Sequence, residues 1–177
     1  MAVLPIRLYP DPVLRVRCAE VTDFDEDLRR LAEDMVETMH SAPGVGLAAS
    51  QVGVEKRLAV VDVSVGEDPA ALRVLVNPRL VEQHGSVVDS EGCLSIPGIS
   101  EKVRRPAEIV VEARDPEGRE LRFEAGELEA RAVCHEIDHL NGVLFVDHLR
   151  GLRRDRAKRH LRRLKRSRPQ PAAAAAL

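Results

Sequence analysis

Residues 134–142 read Cys-His-Glu-Ile-Asp-His-Leu-Asn-Gly, so two histidines stand four positions apart with a glutamate beside the first. On an α-helix this spacing puts His135 and His139 on one face, a turn apart and close enough to grip a single cation. Glu136 then projects beside the cation, placed to take a proton from water. Leu128, Val133, Ile137 and Leu140 supply an irregular apolar face, and Gly142 stands where a helix would stop, so the pattern predicts a helix here. The chemistry it suggests is metal-assisted hydrolysis.

A catalytic metal needs three protein ligands and one open position. Downstream of His139 the sequence offers no good third. Phe145 occupies the position where one metalloprotease class carries its third histidine, and His148 comes three residues too late. Asp147 and Asp155 do not suit the class that draws a glutamate from a following helix. The candidate therefore lies upstream, at Cys93 in Glu91-Gly92-Cys93-Leu94-Ser95, where Gly92 allows close backbone approach and Pro97-Gly98 turns the chain. Leu94 and Ile96 alternate around the cysteine in a strand-like way. Cys18 and Cys134 read instead as small buried hydrophobes. A third stretch, residues 44–53, combines two early glycines, Gly44 and Gly46, with a run of small residues and the amide of Gln51, and it lacks the spacing of a phosphate loop.

G-V-G-L-A-A-S-Q, E-G-C-L-S and H-E-I-D-H, in this order and at these separations, closely resemble the three signature motifs of the peptide deformylases, over about residues 5–150. The resemblance implies removal of the formyl group from the N-terminal formylmethionine of nascent polypeptides, with release of formate. It implies a metal held by Cys93, His135 and His139, with Glu136 as the acid/base. Gln51 and the backbone N–H of Leu94 would stabilise the developing oxyanion, and Val45, Gly46 and Gly92 would contact the substrate. The family's usual ion is ferrous iron, Fe2+, with Zn2+, Ni2+ or Co2+ able to substitute. A thiolate ligand suits such softer metals and lowers the charge at the ion relative to a third neutral histidine. Three departures from the family pattern stand out: Cys134 replaces a common glutamine, Ser100 falls where some members place a substrate-holding arginine, and Pro43 replaces an acid. Two other readings compete with the deformylase: another metal-dependent peptidase or amidase on the same Cys-His-His site, and a ribosome- or RNA-binding module without activity.

The elements that must position these residues follow from periodicity. Residues 25–40 predict a helix with Leu28, Leu31, Met35 and Met39 on one face; residues 58–65 and 72–77 predict Val-rich strands; residues 108–113 and 120–124 predict a hairpin across Asp115-Pro116-Glu117-Gly118. Strands followed by a metal-binding helix point to an α+β fold, with antiparallel or mixed sheets packed around that helix and a further helix at the C-terminal end. At 177 residues one catalytic domain, residues 1–149, is expected, its core built from aliphatic side chains because there are only 3 Phe, 1 Tyr and no Trp.

Charge sets the rest of the chain apart. Residues 150–168 hold eleven Lys/Arg against one acid, a net of +10, whereas the remainder has 16 basic and 28 acidic residues, a net of −12. An acidic body with a basic arm suggests a polyanionic partner. Leu149, Leu152, Ala157, Leu161 and Leu164 can share the side of a helix that docks on the body. The family resemblance favours the ribosome near its tunnel exit as the partner, and no membrane or DNA contact is expected. Residues 169–177, with five alanines, are expected to be a disordered tail. Three cysteines without framework spacing, no targeting segment and no apolar stretch approaching ~20 residues predict a cytoplasmic protein.

Overall fold

The computed structural model describes residues 2–42 and 44–167. Pro43 and the alanine-rich end at residues 169–177 lie outside the described residues. The first helix, α1 (Glu26–Ser41), starts one residue later than the periodicity suggests, because Asp25 serves as its N-cap and accepts from Leu28 N–H at 2.9 Å. Leu28, Ala32, Met35 and Met39 are its buried stripe.

Five strands form an antiparallel sheet in the order β1 (Gly46–Ala48), β2 (Leu58–Val61), β3 (Arg73–His84), β6 (Glu108–Arg114), β7 (Glu120–Gly126). The expected hairpin is present as β6–β7, paired from Glu108↔Gly126 to Arg114↔Glu120, with the Asp115 carboxylate accepting from Glu117 and Arg119 N–H in the turn. β2 is shorter than expected. The chain leaves the sheet at Asp62, whose buried carboxylate accepts from Ser64 and Gly66 N–H and meets His40 at 2.8 Å. These local bonds offer the backbone an alternative to the ladder. β3 runs twelve residues, well beyond the predicted segment, because two register shifts against β6 let it continue past Pro78.

A second sheet, β4 (Val87–Glu91) paired with β5 (Glu101–Arg105), has no counterpart in the periodicity reading. Its inward positions on β5 are Glu101, Val103 and Arg105, so a hydrophobic-alternation test misses it. Between these strands, residues 93–97 form a turn rather than the strand that Leu94 and Ile96 suggest, with Ile96 N–H donating to Cys93 O at 3.0 Å.

The metal-motif helix is α2 (Glu127–Leu140), packed against β1 and β2 and buried along most of its length. Gly142 ends it at φ +72°, and a Cβ there would sit 2.5 Å from the Arg15 carbonyl oxygen, so both the backbone angle and the space require glycine. The last helix is α3 (Gly151–Ser167). Ala157, Leu161 and Leu164 join an apolar cluster with Ile96, Val103, Leu144, Phe145 and Leu149. Leu152 does not share that side: it is 85% exposed, because it lies in the first turn of α3, clear of the body. The result is the expected α+β class, and both sheets are antiparallel.

Candidate metal centre and active site

α2 presents His135 and His139 a turn apart, and the turn after β4 brings Cys93 to them. Cys93 Sγ lies 3.2 Å from His139 Nε2, which lies 3.2 Å from His135 Nε2. The three ligand atoms all fall within 4.8 Å of one another. Phe145 does not ligate; it stacks on the His135 ring with 6.1 Å between centroids. His148 and Asp147 are also occupied elsewhere, His148 with Asp138 at 2.7 Å and Asp147 with Arg15.

What aims His135 is Glu91, two residues before Cys93. Its Oε1 is 2.6 Å from His135 Nδ1, while Arg105 grips both carboxylate oxygens and Arg131 approaches Oε2 at 3.1 Å. Burial would raise the Glu91 carboxyl, but the hydrogen bonds from His135 and Arg105 outweigh it and hold it down to about 2. An ionised Glu91 accepts the Nδ1 proton, which aims Nε2 at the other two ligand atoms. Burial works against a charge on His135, yet its hydrogen bonds to Cys93 and Glu91 carry its pKa well above the imidazole range. His139, fully enclosed and beside His135, is pushed well below that range and so stays neutral. Two imidazole nitrogens and a sulfur converging within 4.8 Å of one another fit a soft or borderline divalent cation.

Glu136 completes the group. Its side chain is buried against Gly46, where any Cβ would collide with its Oε1, and its Oε2 has no hydrogen-bond partner among the described residues. Burial pushes this carboxyl up to about 7. Gln51, buried in the turn Ala49–Val52, is locked by Ala48 N–H donating to Oε1 at 2.9 Å. That turns its Nε2 toward Ser95 Oγ at 3.1 Å and Cys93 Sγ at 3.7 Å. A cleft of about 420 Å³ opens over these groups, lined in part by Val45, Gly46, Gly92, Leu94, Leu128 and Glu136.

Two of the departures can be placed. Cys134 is buried in the core beneath the sheet, its thiol pushed up to about 11 by burial, and it touches no ligand. Ser100 hydrogen-bonds the Ser90 hydroxyl at 2.7 Å. The quoted motifs include Glu91 and Asp138 but give neither a role, and no motif includes Arg105 or Arg131. Arg105 and Arg131 are buried and the Asp138 side chain is four-fifths so. Only spatial proximity makes them a unit; the one available signal was an acid two residues before a ligand.

Metal-dependent hydrolysis is the chemistry for which this cleft and its antiparallel scaffold are arranged. The comparisons make the class specific. Residues 3–155 match the family model for polypeptide deformylase, and the chain belongs to that family. A peptide deformylase of Acidobacterium capsulatum is 45% identical over 167 residues, covering 94% of this chain and 98% of its own length. One from Hydrogenovibrio crunogenus is 51% identical over 158 residues, 89% and 92% of the two chains. The crystal structure of a peptide deformylase from Legionella pneumophila superposes with a TM-score of 0.85 at 42% identity, covering 95% of this chain and all of that one.

Replacing Glu91 tests the buried network. Glu91→Gln leaves Arg131 without its counter-charge and Arg105 with Asp138 alone, and is expected to lower stability by about 3–5 kcal/mol. Metal affinity should fall about 10–100-fold as His135 loses its orienting partner. Because the folded-state pKa is depressed, the wild-type advantage is complete above pH 4.5, the ordinary carboxyl value, and fades as pH falls toward 2. Denaturant melts at pH 7 and pH 3, with chelator competition at pH 7, measure both quantities.

Proposed function

We propose that Cys93, His135 and His139 hold one ferrous ion, Fe2+, and that Glu136 is the acid/base of formyl hydrolysis. The observation that carries this reading is the buried, unpartnered Oε2 of Glu136 beside three convergent metal-ligating atoms. As a member of the peptide deformylase family the enzyme is metal-dependent and removes the N-terminal formyl group from formylmethionyl peptides, releasing formate. When bound, the cation supplies Lewis acidity toward water and the formyl carbonyl.

The chain's own groups do the rest. Glu136, raised to near neutrality by burial, takes a proton as the water oxygen bonds to the formyl carbon. It then returns that proton to the nitrogen as the C–N bond breaks. Gln51 Nε2 and the backbone N–H of Leu94 donate to the formyl oxygen while negative charge gathers there. Val45, Gly46 and Gly92 line the cleft as the substrate's contacts. A Cys93 thiolate suits Fe2+, Zn2+, Ni2+ or Co2+ alike, and the choice of Fe2+ rests on the family resemblance.

We assign residues 1–149 as the catalytic unit and residues 150–168 as a ribosome-docking arm acting near the tunnel exit. The exposed cations of α3 support this reading, since among the described residues only Arg156 pairs with an acid of the body, Glu101 at 3.2 Å, while Arg153 reaches the neutral Lys102 O at 3.4 Å. No described helix is long and apolar enough to cross a membrane. The cytoplasm, where formylated chains are made, is the proposed location.

Three measurements bear on these roles. Glu136→Ala keeps its metal but loses about 10²–10⁴-fold in formate release from formyl-Met-Ala-Ser, whereas Cys93→Ala loses metal itself; equal metal loss in both proteins contradicts the division of roles. Enzyme prepared without oxygen is most active and decays in air, while nickel or cobalt forms persist, because an iron-bound thiolate is the oxidisable arrangement; equal lifetimes point to a zinc-like ion. Charge reversal at exposed Arg154, Arg159, Arg162 and Arg166 abolishes ribosome co-sedimentation and leaves hydrolysis of the free peptide intact. The wild-type binding falls steeply between about 50 and 200 mM salt. Binding that ignores both changes removes the arm from the mechanism. Reversal is the cleaner variant, since truncation would also strip Ala157, Leu161 and Leu164 from the body's apolar cluster.

A further inference from the structure

α3 does more than carry charge. Its His160 faces the segment that follows Cys93, with Nε2 2.8 Å from the Pro97 carbonyl oxygen and Cε1 3.4 Å from where a Cβ on Gly98 would stand. Arg163 lies 2.9 Å from His160 Nδ1. A guanidinium can only donate, so Nδ1 accepts, and the ring proton sits on Nε2, where it is donated to Pro97. Leu161 and Leu164 press the same helix against the cluster that contains Ile96, Ile99 and Cys93.

Pro97, Gly98 and Ile99 form one rim of the cleft over the metal-ligating group. Among the described residues, the hydrogen bond from His160 is the single one made to the backbone of residues 97–99. Gly98 bends the rim at φ +78°, a backbone state with little steric restraint in glycine. The catalytic half of the same loop is anchored separately. Tyr9 N–H donates to Ser95 O at 2.8 Å, Ile96 N–H to Cys93 O at 3.0 Å, and Gln51 to the Ser95 hydroxyl at 3.1 Å.

We infer that His160 is a positioning residue of the deformylase, latching the Pro97–Gly98–Ile99 rim so that the basic arm and the peptide pocket behave as one unit. This rests on the reading of the cleft as the peptide pocket. A rim held in its bound shape lowers the ordering cost of binding peptide. The ligand Cys93 and its neighbours keep their own anchors, so the latch acts on peptide affinity and not on the chemical step.

The experiment is steady-state hydrolysis of formyl-Met-Ala-Ser by metal-loaded full-length enzyme. His160→Ala is expected to raise KM roughly two- to tenfold, the size one hydrogen bond can impose, with kcat within about twofold and metal content unchanged. His160→Gln, whose amide nitrogen can reach Pro97 in place of Nε2, restores KM. His160→Asn, polar but too short, behaves like alanine and serves in its place if the alanine variant folds poorly. Arg156→Ala loosens α3 from Glu101 without touching the latch and leaves KM alone. An unchanged KM in His160→Ala, or a glutamine variant as impaired as the alanine one, overturns the inference. Leu128→Arg, at the mouth of the cleft, separates the two levels. If it too leaves KM unchanged, the cleft is not the peptide pocket; if it raises KM while His160→Ala does not, only the latch is wrong.

Discussion

The carboxylate of Glu91 sits where three elements meet, and it is almost fully out of water. It ends β4, accepts from His135 on α2, is gripped by Arg105 on β5, and is approached by Arg131 one turn earlier on α2. A charge in that position is tolerable only with complete pairing, and removal of any partner strands the others. The small sheet is therefore held against the metal helix by ions and not by an apolar face. Because Cys93 follows Glu91 by two residues, the same anchoring delivers the sulfur to the two histidines. Arg105 extends the network to Asp138, which also meets His148 beyond the end of α2.

Two glutamates 45 positions apart in the chain end up within one site and are driven in opposite directions. Glu91, surrounded by donors, is held ionised; Glu136, enclosed against the Gly46 backbone with one oxygen that has no hydrogen-bond partner among the described residues, is raised to near neutrality. The chemistry of the side chain is the same, and its surroundings assign the role: one carboxylate is a fixed counter-charge, the other can exchange a proton. Gly46 is part of this arrangement, since any larger residue would drive Glu136 out of its place. Gln51 is tuned in a similar way, one end of its amide spent on Ala48 so that the other faces the sulfur.

The two rival readings of the sequence part company with the molecule at definite points. The peptidase or amidase on the same Cys-His-His site is set aside by membership of the deformylase family over residues 3–155, and among the described residues no downstream ligand is on offer to extend that site, since His148 is bonded to Asp138. A purely RNA-binding module is set aside by family membership over residues 3–155, although the basic helix that prompted it is real. That helix combines two habits, aliphatic side chains inward on the body and cations outward, and its inward side also reaches the rim of the cleft through His160.

Much of this was readable from the chain alone, for a physical reason: helical periodicity and short-range chemistry are encoded locally. The one-turn spacing of His135 and His139, the caps and stripe of α1, the Asp-Pro-Glu-Gly hairpin and the basic arm all depend on residues within a few positions of one another. Cys93, 42 positions before His135, is pointed to differently, by the exhaustion of downstream alternatives. What only the tertiary structure decided involves residues far apart in sequence or patterns that hydrophobicity cannot see. β5 buries Glu101 and Arg105 where an alternation test expects aliphatics, so its sheet stayed hidden. Leu94 and Ile96 mimic a strand but belong to a turn, because Ile96 closes back on Cys93. Leu152 has the helical phase of a docking residue yet lies beyond the body's reach. The pairing of Glu91 with His135, Arg105 and Arg131 joins positions up to 44 residues apart, and no local rule could have chosen those partners. Only folding decides which buried charges must meet.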